Sequence, residues 1–280
     1  MNAFIAGVRS EFTKIGTTRM WWLLAIVLFL YIGLISGGLA TLFGLISTGK
    51  ITRGNGGNEG AAAAIFHNLA PVVYSFATSV GYVFPVLLGA LATTGEYRHQ
   101  TLTPTFLANP RRGQVLGAKV TSTFIVGAVY GVVALVAAVG IGALALSIVG
   151  VDTALGDSAI WAQIGRSILA MALWALIGVG LGTLVPNQVA TIVIVLAFTQ
   201  FVEPLLRLAT SFSEVTANIG KFLPGAASDA LVGASVFTIS SPAAATAAAL
   251  EWWQGGLVLA AYAAIFVIAG YFVSWRRDIS

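Results

Sequence analysis

Six long apolar stretches, almost free of charge, limit what this chain can fold into. They cover residues 21–46, 72–94, 115–149, 160–185, 189–206 and 256–275. About 20 such residues in a helix cross the roughly 30 Å hydrocarbon core of a bilayer. Within lipid each backbone N–H and C=O must be bonded inside its own segment, which selects α-helices for stretches of this kind. Composition points the same way, with 58% hydrophobic residues, 9% charged residues and a mean hydropathy of +0.93. A soluble domain carries about 25% charged residues to coat its exterior. The expected fold class is therefore an all-α integral membrane protein, a single domain over 1–280 with six transmembrane helices.

Details of the stretches refine this. The first is fronted by Arg19 and Trp21-Trp22. It is too long for a signal-peptide core and lacks a convincing cleavage site, so it reads as an uncleaved anchor. The third exceeds what a bilayer requires, so it tilts or projects beyond it. Only Pro186-Asn187-Gln188 separates the fourth from the fifth, which predicts a tight antiparallel hairpin.

Orientation follows from the cations. An even number of spans puts both termini on one side, together with Arg9, Lys14, Arg19, Arg98, Arg111, Arg112, Lys119, Arg276 and Arg277, nine of the fourteen lysines and arginines. The other side holds Lys50, Arg53, Arg166, Arg207 and Lys221. The positive-inside rule makes the first side cytoplasmic, and it also explains the sequence pI near 9.6 without nucleic acid.

Three segments outside the spans carry information. Over 1–19, Phe4, Ile5, Val8, Phe12 and Ile15 share one helical face while Arg9, Glu11 and Lys14 lie elsewhere. That is the pattern of an amphipathic helix in the headgroup region. The loop containing Gly54 to Asn58 is a flexible external turn. Residues 207–253 are semi-apolar but broken by Pro224-Gly225 and Ser240-Ser241-Pro242. They read as short helices dipping part way into the outer leaflet, or as an external cap.

Chemistry is mostly excluded. With no cysteine there is no disulfide, thiolate metal site or thiol nucleophile. His67 and His99 fall on opposite sides, so no metal site is expected, and no span carries a charged residue at its centre. Gly233-Ala234-Ser235 has no membrane histidine to activate its serine, so no catalytic residue is assigned. Gly44 to Lys50 has the spacing of a phosphate-binding loop, but Ile51 stands where Ser or Thr must hold Mg²⁺ and no strand precedes it. The pairs Gly33/Gly37, Gly127/Gly131 and Gly178/Gly182 suit close helix packing inside one chain or, less simply, between subunits. Arg166 and Glu203, near the outer ends of spans four and five, either snorkel to the interface or line an outer vestibule.

The loop over 95–113 is the largest water-exposed feature on the cytoplasmic side. It carries Gly95-Glu96-Tyr97-Arg98-His99, then Phe106-Leu107-Ala108-Asn109-Pro110-Arg111-Arg112, then Val115-Leu116-Gly117-Ala118-Lys119. With Ser10-Glu11-Phe12-Thr13-Lys14 leading into Thr18-Arg19-Met20-Trp21-Trp22, it resembles the permease subunits of ABC-2 type transporters, most like short actinobacterial members. Two departures stand in the loop: Gln100 replaces a common glycine, and Pro104 interrupts the expected short helix.

The resemblance implies an exporter of amphipathic molecules in a bacterial plasma membrane. Such a chain pairs with a second permease copy or paralogue and with two separate cytoplasmic ATPase subunits. It binds no cofactor itself, and ATP and Mg act through the partner. Residues Glu96, Tyr97, Arg98, His99, Leu102 and Phe106 would then couple to the ATPase, and 207–253 would be re-entrant helices closing the outer end. An ion-gradient-driven carrier or channel, and a membrane assembly or immunity protein without transport, are the competing readings.

Overall fold

The computed structural model describes residues 2–50, 69–210, 214–234 and 250–276. The Gly54 to Asn58 loop, His67, Ser235 and the Ser240-Ser241-Pro242 break lie outside the described residues. Among those described, all regular structure is helical, and six helices are long and apolar enough to cross a membrane.

The chain begins with α1 (Asn2–Thr17) and turns at Thr18-Arg19 into α2 (Met20–Ser47). Span two is broken into α3 (Leu69–Ser79) and α4 (Val83–Arg98). Pro85 explains the break: it has no N–H for the carbonyl of Gly81, and its ring would strike that oxygen in a continuous helix. A short α5 (Leu102–Ala108) leads into α6 (Arg112–Val149), a single helix of 38 residues. Gly150 ends α6 in the left-handed conformation at φ 89°, and its N–H and that of Val151 bond back to Leu146 O. Next come α7 (Ser158–Leu184) and α8 (Gln188–Ala197), each started by a side chain that accepts a backbone N–H: Asp157 from Ala159 and Asn187 from Ala190. Span five then passes through one π-helical turn (Phe198–Val202) into α9 (Glu203–Ala209). Pro204 lies just past that turn, after Glu203, and the wider turn absorbs the Gln200 carbonyl that its ring would otherwise meet. Two short helices, α10 (Glu214–Gly220) and α11 (Pro224–Val232), precede α12 (Trp252–Gly270), which closes with another π-helical turn (Tyr271–Trp275).

The bundle is built around α7, with α4, α6 and α12 packed along it, α2 lying on α6 and α8 lying on α4. The glycine pairs make these crossings close. A Cβ added at Gly89 or Gly178 would strike the facing backbone of α7 or α4. One at Gly127 or Gly131 would come within 3.0 Å of a Cα of α7, and Gly33 and Gly37 both receive the side chain of Ile141. All three pairs therefore serve packing inside the chain. The outer faces of α2, α8, α9 and α12 are apolar and exposed, as Leu34, Val189, Phe201, Leu205 and Ile265 show, and suit contact with lipid.

Gly44 to Lys50 is the end of α2, with Gly49 left-handed at φ 70° and Lys50 N bonded to Leu45 O. This is a helix terminus and not a loop wrapped around phosphate.

Candidate functional site

At the α1 end of the bundle, the loop after α4 folds into a compact mount. Gln100 takes a left-handed φ of 54°, the conformation in which glycine is at home, and this turns the chain into α5. Pro104 does not interrupt α5. It occupies the third helical position, where the missing N–H would have no acceptor anyway. Asn109 leaves the helix in extended geometry, and its Oδ1 accepts the Arg111 N–H at 3.1 Å.

The six loop residues divide into two groups. Glu96 and Leu102 are buried, Leu102 with only 1% of its surface exposed. Leu102 sits among Val115 and Leu116 of α6, Val179 of α7 and Trp275 at the end of α12. Tyr97 and Phe106 set their rings edge-on to Trp275, at centroid distances of 6.1 and 5.5 Å. The Trp275 indole donates to Arg112 O at 3.1 Å, and the Arg112 guanidinium lies 5.0 Å over the Phe106 ring. Arg98 and His99 are exposed, and Arg98 Nη1 donates to Gln188 Oε1 at 3.2 Å at the start of α8. The outward face of α5 presents Thr103, Pro104 and Leu107, the last 81% exposed.

Below this mount lies a charge cluster that pattern reading missed. Lys14 Nζ is 2.6 Å from both Glu11 Oε1 and Glu96 Oε1, while Lys119 Nζ is 2.6 Å from Glu11 Oε2 and 3.2 Å from Glu96 Oε2. Two acids and two bases thus alternate, and Glu11, Glu96 and Lys119 are buried. The expected outward sorting of charge on α1 holds for Arg9 and fails for Glu11, which points inward, whereas Phe4 and Ile5 are exposed. Burial by itself raises a carboxyl pKa, but the ammonium groups of Lys119 and Lys14 outweigh it and hold Glu11 below its ordinary value. Burial likewise works to lower Lys14, and the carboxylates of Glu96 and Glu11 overcome it and hold Lys14 above its ordinary value.

Arg166 and Glu203 are not brought together. They bracket α11 instead. The Glu203 carboxylate presses on Gly225 in the first turn, while Arg166 lies beside Gly233, the left-handed residue that ends the helix. A carboxylate at the N-terminus and a guanidinium at the C-terminus both suit the helix dipole. Arg166 also stacks 4.7 Å over the Trp252 ring. Glu203 does not snorkel: it is 2% exposed and paired with Arg207, which also binds Asp229 of α11. Glu203 and Arg207 stand one helical turn apart, a spacing visible in the sequence, whereas nothing in the sequence pointed to Asp229.

Among the described residues no group of three or more His, Asp or Glu side chains is arranged to hold a metal ion. No family model matches this chain, and no curated protein is similar enough in sequence to match it.

Proposed function

We propose that this chain is the membrane-spanning subunit of an ATP-driven exporter, sitting in a bacterial plasma membrane with both termini in the cytoplasm. The observation that carries the reading is the mount of α5. A short exposed helix is joined rigidly to several spans at once, through Leu102 and Trp275 to α6, α7 and α12, through Arg98 to α8, and through Glu96 to α1 and α6. A soluble subunit that pushes on α5 moves those helices together. Leu107, Pro104, His99 and Arg98 are the residues placed to touch such a partner. Glu96, Tyr97, Leu102 and Phe106 transmit its motion from behind. The working unit is two permease chains with two ATPase subunits, which bring ATP and Mg, and the cargo is an amphipathic molecule such as a drug, an antibiotic peptide or a lipid.

The test is affinity purification of the tagged chain from its native membranes. An ABC-type ATPase should accompany it in equal amount, and Leu107→Asp should remove that ATPase while leaving the chain inserted. A chain that moves cargo on an ion gradient with no ATPase present would overturn the reading. That second possibility draws on one feature, the buried Glu203 within span five, whose Oε2 has no hydrogen-bond partner among the described residues.

A further inference from the structure

Arg166 stands where span four leaves the hydrocarbon core on the side away from α1. α7 ends at Leu184, and counting back about 20 residues, the length that crosses the core, reaches Gly165. The same count of about 20 back from Trp275, at the end of α12, reaches Gly256, one turn after Trp252. A helical side chain leans toward the N-terminus of its own helix, so the Arg166 guanidinium is carried outward to the level of Trp252. Trp161, Trp252 and Trp253 are all exposed, as in the aromatic belts that sit among lipid headgroups.

The surroundings of the guanidinium leave its donors free. It is half-buried and lies 4.7 Å over the Trp252 ring. Stacking of this kind occupies a face of the group, whereas its N–H bonds lie in the plane and point past the ring. Among the described residues these donors meet no acceptor, and no carboxylate pairs with them. Glu251, the acid next to Trp252 in sequence, is committed to its own helix, where it accepts the Gln254 N–H in a capping box. The end of α11 at Gly233 offers only the charge of a helix terminus, about half an elementary charge. A cation left in this state at the edge of lipid calls for an anion. Access to it is open. Gly165 has no atom within 4 Å of an added Cβ, and Leu169 and Leu257, further into the core, are exposed.

We propose that Arg166, seated on Trp252, binds the phosphate of an anionic phospholipid in the leaflet away from α1, with the acyl chains lying along Leu169 and Leu257. A phosphate accepts two parallel N–H bonds from a guanidinium, and stacking on the indole holds that fork in a fixed plane. A glycerol headgroup suits the site, because choline would bring a second cation beside Arg166. The site requires only that the chain lies in a bilayer, so it does not rest on the exporter reading.

The test is a lipid titration of the delipidated chain in detergent micelles, with bound molecules counted by native mass spectrometry. The probes are dioleoylphosphatidylglycerol, dioleoylphosphatidylcholine and inorganic phosphate. The tightest phosphatidylglycerol adduct should weaken by roughly tenfold or more in Arg166→Gln, the effect of losing charge-assisted bonds. Trp252→Leu keeps the charge without its platform and should weaken that adduct by about threefold. Arg111→Gln, which removes an exposed cation at the α1 end, should leave it unchanged. Phosphatidylcholine and inorganic phosphate should each bind the unchanged protein about tenfold more weakly than phosphatidylglycerol. Undiminished binding in Arg166→Gln, an equal loss in Arg111→Gln, or equal affinity for phosphatidylcholine would each overturn the site. Inorganic phosphate bound as tightly as the lipid would mark a free-anion site and overturn the lipid assignment. Where Arg166→Gln does not fold, Arg166→Lys carries the test. It keeps the charge without the planar fork, and undiminished phosphatidylglycerol binding in it would overturn the two-bond geometry.

Discussion

The Lys119 ammonium lies 2.6 Å from Glu11 Oε2 with both side chains buried, so α1 is fastened to α6 by an ion pair closed off from water. The pair sets a pH profile. Glu11 is held below its ordinary value, so its contribution is complete above the unfolded carboxylate range and is lost as pH falls through the lowered value. Lys14 is held above its ordinary value, so its contribution is complete below the unfolded lysine range and is lost as pH rises through the raised value. The fastening is strongest across neutral pH and weakens toward both extremes. Glu11→Gln should cost about 3 kcal/mol at neutral pH and flatten the acid limb. Melting temperature followed by tryptophan fluorescence across pH checks this, and an unchanged acid limb in the variant would refute it.

The glycines of the α4–α7 crossing make a second expectation. Gly89→Ala or Gly178→Ala places a methyl group into facing backbone and should destabilise the bundle by about 1–3 kcal/mol or more. Gly95→Ala, in the same helix α4 but with no atom within 4 Å of an added Cβ, should stabilise it by up to about 1 kcal/mol. Opposite shifts in melting temperature are the check, and equal losses at Gly89 and Gly95 would contradict the packing described.

Trp275 combines a hydrogen bond with ring contacts, and two substitutions separate them. Trp275→Phe keeps an aromatic ring against Tyr97 and Phe106 but loses the bond to Arg112 O, and should cost about 1 kcal/mol. Trp275→Ala empties the site and should cost about 3–5 kcal/mol. Limited proteolysis near Asn109 should quicken in that order, since α5 loses its inner support. Equal protection in both variants would show that α5 is held from elsewhere.

Gln100 bears a conformational cost that glycine does not. Gln100→Gly should leave α5 intact and stabilise the chain by up to about 1 kcal/mol, the penalty of a left-handed non-glycine residue. A lower melting temperature would mean that the Gln100 side chain contributes more than the turn costs.

The spans were legible because lipid imposes one rule on every residue within them, and that rule needs no knowledge of neighbours. Glu11 was not legible. Pattern reading sends charge away from an apolar face, and its partner Lys119 is 108 residues further along, joined to it only by folding. Pro104 misled for a local reason, since a proline breaks a helix only where an N–H is needed, and the third position needs none. Arg166 and Glu203 were legible as unusual residues near the outer ends of their spans, but nothing in the sequence showed what they share. What joins them is α11, a helix too short and too mixed in composition to announce its seat.

The length of α6 has a mechanical consequence. Its 38 residues make a rod about 57 Å long, far longer than the bilayer core. One tip is gripped by α5 and Trp275, and at the other the Val149 carbonyl accepts from Lys50 Nζ at 3.4 Å. If such a rod rocked by about 5° on a central pivot, its two tips would swing about 2.5 Å in opposite senses. That stroke is enough to break the Lys50 contact, so a nudge at one face of the membrane would be felt at the other with no change inside the helix.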